Sequence, residues 1–281
     1  VERTYLLARP AAPAAPLIVA LHGLGGTGLD MAGLTGLARR GPAAGFAVVF
    51  PDGWRRVWAD GRPLSRSAGI DDGGFLAALV DRLCAGGVTR PGIAVLTGIS
   101  NGALFAERLV RSGRLHPDGL VLCAGTALTN TRRRWPRPAT PTRLLCMLGT
   151  ADPLMPFEGG RNRAPGLFGT MVRRRAGPRE GAVAAMDLIA DWVTVNGVGG
   201  DPEMVELPRA AADPATVRLH WTAPGRPDVT LYRIDGGGHG WPGGPQYLPP
   251  RWIGRIPQHL DGTGLVLAMA AGAGQKPEGR P

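Results

Sequence analysis

The chain has 281 residues, 44% of them apolar, a formal net charge of +10, and one lysine, Lys276, among its 32 basic residues. This inventory argues against Schiff-base lysine chemistry and leaves no P-loop lysine. Glycine and proline make up about a quarter of the chain, but no Gly-X-Y period appears, which excludes collagen.

Residues 4–8 are a short extended candidate, followed by a Pro/Ala connector at 10–16. Residues 17–21, Leu-Ile-Val-Ala-Leu, have the continuous apolar pattern of a strand buried on both faces. They end at the glycine-rich turn His22-Gly23-Leu24-Gly25-Gly26, and a helix is expected over 30–40. A second buried strand at 46–50 is closed by Pro51-Asp52-Gly53. The clearest helix covers 71–83, with Asp71 or Asp72 as N-cap and Phe75, Leu76, Leu79, Val80 and Leu83 on one face. Strands follow at 93–97, 119–123 and 143–148, and a helix opens at Gly102 and runs to Arg111. Residues 156–181 lack periodicity and read as an insertion over one end of a sheet. A helix at 183–195, strands at 217–221 and 229–234, and a closing helix at 259–271 complete the pattern. Residues 1–271 are expected to form one domain and 272–281 a disordered tail. Strands alternating with helices predict an α/β fold with a mostly parallel sheet covered on both faces.

Gly98-Ile99-Ser100-Asn101-Gly102 matches G-x-S-x-G, a pattern expected about 0.1 times by chance at this serine and glycine content. Its context adds weight: it follows a buried strand and opens a helix, as a nucleophile elbow must. The two glycines leave room in the sharp turn, and the helix N-terminus favours developing negative charge. A serine nucleophile needs a base, and the chain holds five histidines. His22 precedes Ser100, His116 reads as a surface loop residue, His220 lies within a strand pattern and His259 begins a predicted helix. His239, in Gly236-Gly237-Gly238-His239-Gly240 after a late strand, is the remaining candidate. The acid belongs between them, and Asp152 in Gly149-Thr150-Ala151-Asp152-Pro153 directly follows a strand; Glu158 is the nearest rival. An oxyanion hole needs two backbone donors, expected from the amides of Asn101 and Leu24, with His22 bracing the latter turn. Trp241, Trp58 and Met155 are candidates for the walls of a substrate pocket.

These stretches resemble the α/β-hydrolase esterases of the polyhydroxybutyrate depolymerase and feruloyl esterase type. The resemblance runs from Leu17 to about Gly244 and rests on Leu21-His22-Gly23, Phe50-Pro51-Asp52-Gly53 with Trp58, Asp71-Asp72-Gly73-Gly74-Phe75, and the Ser100 motif. It continues in Gly149–Pro153 with Glu158-Gly159-Gly160, and in Gly236–Gly244. It implies an α/β-hydrolase fold and hydrolysis of hydroxyalkanoate or feruloyl-type esters through an acyl-enzyme. It implies no metal or organic cofactor, and its nucleophile, acid and base fall on Ser100, Asp152 and His239. Two departures stand out. Val198 follows Asn196-Gly197 where relatives often carry a disulfide cysteine, and 166–179 is unusually basic.

Two other functions compete with an esterase. One is a catalytically inactive scaffold that binds polyanions through its arginines; the other is a serine peptidase on the same triad. The clusters at 132–134 and 173–175 have few aromatics among them, so the positive charge reads chiefly as a solvated surface and no nucleic-acid partner is expected. No apolar run approaches the roughly 20 residues of a membrane span. The three cysteines, Cys84, Cys123 and Cys146, lack CxxC spacing and read as buried small hydrophobes. The expected partner is an ester substrate, the expected state a monomer. A leader removed ahead of Val1 would direct the chain to secretion or the periplasm, and a cytoplasmic location is also compatible with the composition.

Overall fold

The computed structural model describes residues 2–62, 69–164, 166, 169–170 and 181–272. Nine strands are present among them: β1 (Tyr5–Ala8), β2 (Leu17–Leu21), β3 (Ala47–Pro51), β4 (Val95–Ile99), β5 (Gly119–Cys123), β6 (Arg143–Gly149), β7 (Glu203–Glu206), β8 (Ala215–Trp221) and β9 (Val229–Asp235). They form one sheet in the order β1-β3-β2-β4-β5-β6-β9-β8-β7. From β3 to β9 every neighbouring pair is parallel, while β1 and the β8–β7 hairpin join antiparallel at the two edges. The parallel interior follows from the sequence: β2, β3, β4 and β5 are buried at every position, as strands covered on both faces must be.

Two apolar layers cover the sheet. One packs Leu76, Leu79 and Leu83 of helix α3 (Asp72–Ala85) with Phe105 and Leu109 of helix α4 (Asn101–Arg111) and Trp192. The other gathers Met31, Leu37, Phe46, Trp241, Val266 and Met269 on the opposite face. No helix among the described residues is long and apolar enough to cross a membrane.

Several expected boundaries move. The helix expected over 30–40 is two helices, α1 (Gly28–Thr35) and α2 (Leu37–Ala43), broken at Gly36, which sits at φ 64° and ends α1 in the left-handed region. Thr27 and Asp30 close a reciprocal capping box at its start, earlier than the hydrophobic pattern suggested. The strand expected at 93–97 is Val95–Ile99, so it runs directly into Ser100. The last helix spans Gly262–Gly272 rather than starting at His259. Cys84, in α3, is half-buried rather than buried, whereas Cys123 and Cys146 are in the core. Half of the expected insertion, and the whole tail beyond 272, lie outside the described residues.

Arginine also has interior work that composition concealed. The Arg111 side chain is fully enclosed, paired with Glu107 at 2.6 Å and Asp191 at 3.1 Å. Arg3 reaches Asp72 at 2.6 Å, and that carboxylate in turn accepts from the Ala59 amide at 2.8 Å.

Candidate active site

Strand β4 and helix α4 meet at Ser100 in a conformation that few L-residues adopt, φ 56° and ψ −118°. The turn is held by the Ser100 amide, which donates to the Cys123 carbonyl at 3.0 Å, and by the Ser100 carbonyl, which accepts from Leu104 at 3.0 Å. Its flanking glycines are required by contact. A Cβ on Gly98 would stand 2.5 Å from the Gly102 carbonyl carbon, and one on Gly102 would stand 2.5 Å from the Leu21 carbonyl oxygen. The elbow is thus wedged between its own helix and the end of β2.

The loop after β9 carries His239, and the loop after β6 carries Asp152. Both side chains are buried, and His239 Nδ1 lies 2.7 Å from Asp152 Oδ2. Asp152 Oδ1 accepts from the amides of Leu154 (2.8 Å) and Met155 (2.9 Å), which fixes the carboxylate's orientation. The His239 loop is braced by its neighbours: the Gly238 amide donates to Arg255 O at 2.7 Å and the His239 amide to Ile253 O. Glu158, the rival acid, is exposed.

Cys123 links the two halves. Its carbonyl receives the Ser100 amide, and its thiol donates to the Gly240 carbonyl at 3.2 Å. Burial raises the Cys123 thiol well above the usual thiol range, so it stays protonated as a donor. The structure therefore brings Asp152 and His239 into direct contact and sets Ser100 one strand end away from the His239–Gly240 loop. No hydrogen bond joins the Ser100 hydroxyl to His239 among the described residues, and His239 Nε2 has no partner among them. Such bonds are often long before substrate binds.

The turn after β2 lies against the elbow: a Cβ on Gly23 would sit 3.5 Å from the Ser100 Cβ. Among the described residues neither the Leu24 nor the Asn101 amide donates a hydrogen bond. His22 braces that turn as expected. Its Nε2 accepts from the Gly53 amide at 2.9 Å and its Nδ1 donates to the Gly23 carbonyl at 2.7 Å, which fixes a neutral tautomer. Burial lowers its pKa below the usual 6.5, against weaker opposing contributions from the Gly23 carbonyl and Asp52.

Two expected wall residues are not walls. Trp58 is fully buried, stacked on Phe105 at 5.4 Å, with its indole N–H donating to the His22 carbonyl at 3.0 Å. Trp241 is also enclosed, its indole N–H donating to Thr263 at 3.0 Å. Both belong to the core because each finds a polar partner there for its one donor. Met155 is half-buried beside Asp152.

An aromatic that faces solvent beside the His239 loop is Tyr247, 44% exposed, whose hydroxyl donates to the His239 carbonyl at 3.0 Å. Nothing periodic marks it in its Gly/Pro-rich loop. A second Asp–His pair was also not anticipated. His259 Nδ1 lies 3.2 Å from Asp213 Oδ2 and its Nε2 lies 3.0 Å from Thr216 Oγ1. Thr216 is buried within β8, so this pair ties the 256–259 segment to the sheet rather than presenting a nucleophile. The remaining histidines match expectation: His116 is exposed, and His220 sits in β8 with its Nδ1 2.9 Å from Thr230 Oγ1.

No protein-family model matches the chain. Over 288 aligned positions the chain is 30% identical to "Putative esterase NocK" of Nocardia uniformis subsp. tsuyamanensis, covering 96% of this chain and 79% of the relative. Among solved structures it resembles the acetyl xylan esterase from Aspergillus awamori, with a TM-score of 0.55 at 14% identity, over 84% of this chain and 88% of that one. It also resembles esterase PE8, with a TM-score of 0.51 at 16% identity, over 96% and 99% of the respective chains. The structural likenesses establish the fold and the sequence likeness the family: the chain belongs to the esterases of the α/β-hydrolase type, hydrolases of carboxylic ester bonds.

Proposed function

We propose that the chain is a serine esterase in which Ser100, His239 and Asp152 act as a triad. The observation that carries this reading is the buried His239–Asp152 contact at 2.7 Å, which leaves Nε2 without a partner among the described residues, on a loop that Cys123 joins to the Ser100 elbow. In the proposed cycle Ser100 Oγ attacks the ester carbonyl carbon while its proton passes to His239 Nε2. The tetrahedral oxyanion is held by the Leu24 and Asn101 amides. Collapse breaks the bond to the alcohol oxygen, which leaves with the proton from His239. Water then attacks the acyl-enzyme, again losing its proton to His239, and collapse returns that proton to Ser100 Oγ and releases the acid. Asp152 fixes the tautomer and stabilises the imidazolium.

The substrates we propose are small or oligomeric esters of the hydroxyalkanoate or feruloyl type. Support comes from the motif stretches shared with those esterases, which supply structural parts as well as reactive ones. Asp52 Oδ1 accepts from the Gly28 amide at 2.7 Å, and Asp71 caps α3 through the Gly74 amide at 3.0 Å. With Trp58 and Trp241 buried, Tyr247 is the aromatic surface proposed to contact the acyl or alcohol group. In a competitive activity profile over feruloyl esters, hydroxyalkanoate oligomers and plain p-nitrophenyl esters, we expect one of the first two classes to win. A fluorophosphonate probe is expected to label Ser100. Retention of p-nitrophenyl ester hydrolysis by Ser100→Ala would overturn the proposal.

A further inference from the structure

Segment 53–62 contacts both turns that carry the proposed oxyanion donors. Asn101 is almost completely buried, and its side chain is spent on this segment. Its Oδ1 accepts from the Trp58 amide at 2.9 Å, and its Nδ2 donates to the Trp58 carbonyl at 3.2 Å and to Asp60 Oδ2 at 2.6 Å. Trp58 then reaches the other turn, its indole N–H donating to the His22 carbonyl at 3.0 Å. From the same segment the Gly53 amide donates to His22 Nε2 at 2.9 Å, and the Arg56 carbonyl accepts from the Gly25 amide at 2.8 Å. The segment therefore grips the turn after β2 at three points and the start of α4 at three more.

The anchor is Asp60, a carboxylate with no exposed surface. Besides Asn101 it accepts from the Arg62 amide at 3.0 Å and from Arg62 Nε at 2.9 Å, and Arg62 Nη2 is also within bonding distance. Arg108, one helical face along α4, donates to the neighbouring Ala59 carbonyl. A buried charge is costly unless fully paired, and this one is satisfied in a way that pulls Asn101 toward it. An oxyanion hole works only if its donors stay aimed at a point where charge develops, so the spacing between two turns from distant parts of the chain must be held rigidly.

We infer that Asp60, Asn101 and Trp58 form a buried frame that sets the separation of the Leu24 and Asn101 amides, with the Asp60 and Trp58 side chains as positioning residues for transition-state stabilisation. This rests on the serine esterase reading above. A frame of this kind acts on the oxyanion and hardly at all on ground-state binding.

The test compares wild type with Asp60→Ala and Trp58→Phe, with active sites counted by fluorophosphonate titration. Phe at 58 keeps an aromatic ring against Phe105 but lacks the donor to His22, and it decides the matter alone if Asp60→Ala does not fold. Per titrated site, each variant is expected to lose about 10-fold or more in kcat on a p-nitrophenyl ester, with KM changed by less than about 3-fold. Affinity for a trifluoromethyl ketone, whose tetrahedral adduct places an oxyanion in the hole, should fall by the same factor. Variants that retain kcat and ketone affinity per site, or that lose kcat with ketone affinity unchanged, overturn the frame. A wild-type protein that is not labelled at Ser100 overturns the esterase reading instead.

Discussion

Asp152 meets His239 with one carboxylate oxygen and holds its own main chain with the other. Oδ2 lies 2.7 Å from His239 Nδ1, while Oδ1 accepts the amides of Leu154 and Met155. Asp152→Asn can keep an acceptor toward those amides but turns an amide toward the imidazole, which favours the wrong tautomer. We expect kcat to fall by roughly 10³–10⁴-fold with little change in melting temperature. Asp152→Ala, which also frees the two amides, should lower both. Steady-state kinetics with thermal melts of the two variants separate these roles.

The neutral, buried His22 sets an acid limit on the fold. Above pH 6.5 the ring is neutral in both folded and unfolded chains. As pH falls below 6.5 the unfolded chain takes up a proton that the folded one refuses, because burial depresses the folded pKa. Stability is therefore lost progressively from pH 6.5 down to the folded pKa, and the loss stops growing below it. Urea midpoints at pH 7.5 and pH 5 should differ more for wild type than for His22→Gln, even if the variant is less stable at both. An equal difference in the two proteins would refute this.

The enclosed Arg111 is expected to be the most stability-critical charge. Removing it in Arg111→Met leaves Glu107 buried without its partner and frees the carbonyls of Trp135 and Pro136. The expected loss is about 3–5 kcal/mol. Burial already raises the pKa of Glu107, and loss of the guanidinium should raise it further, so the variant's stability should depend on pH differently from that of wild type. The double variant Glu107→Leu/Arg111→Met should recover part of the loss, read from denaturant midpoints at pH 7.

Sequence pattern located the sheet interior and the strand-to-helix turn at Ser100 well because both obey strong local rules. Leu17–Leu21 and Gly119–Cys123 are unbroken apolar runs, and a G-x-S-x-G between a strand and a helix leaves little freedom for Ser100. What pattern missed is held by long-range polar contact. The exposed β7 strand has no apolar alternation and exists because it pairs with β8, from Glu203 opposite His220 to Glu206 opposite Val217. The strand expected at 93–97 moved because Ile93 and Ala94 are buried by packing before the regular strand begins. In the sequence Trp58 and Trp241 read as pocket walls, because a tryptophan near a motif gives no hint of which way it points. The link from Asp60 to the elbow and the one from Tyr247 to the His239 loop left no signal, since they run to a side chain 41 positions away and to a main-chain carbonyl.

Ser100 bears the backbone conformation that glycine would adopt freely, φ 56° with ψ −118°. Holding a side chain there costs on the order of 1–3 kcal/mol, more than the roughly 0.5–1 kcal/mol of extra chain entropy that a glycine would lose on folding. Ser100→Gly should therefore melt higher than wild type, by about 2 °C, while hydrolysing nothing. If Ser100 is the nucleophile proposed above, durability and reactivity are set against each other at a single residue, and selection for thermal robustness without an activity screen would be expected to drift toward an inert protein.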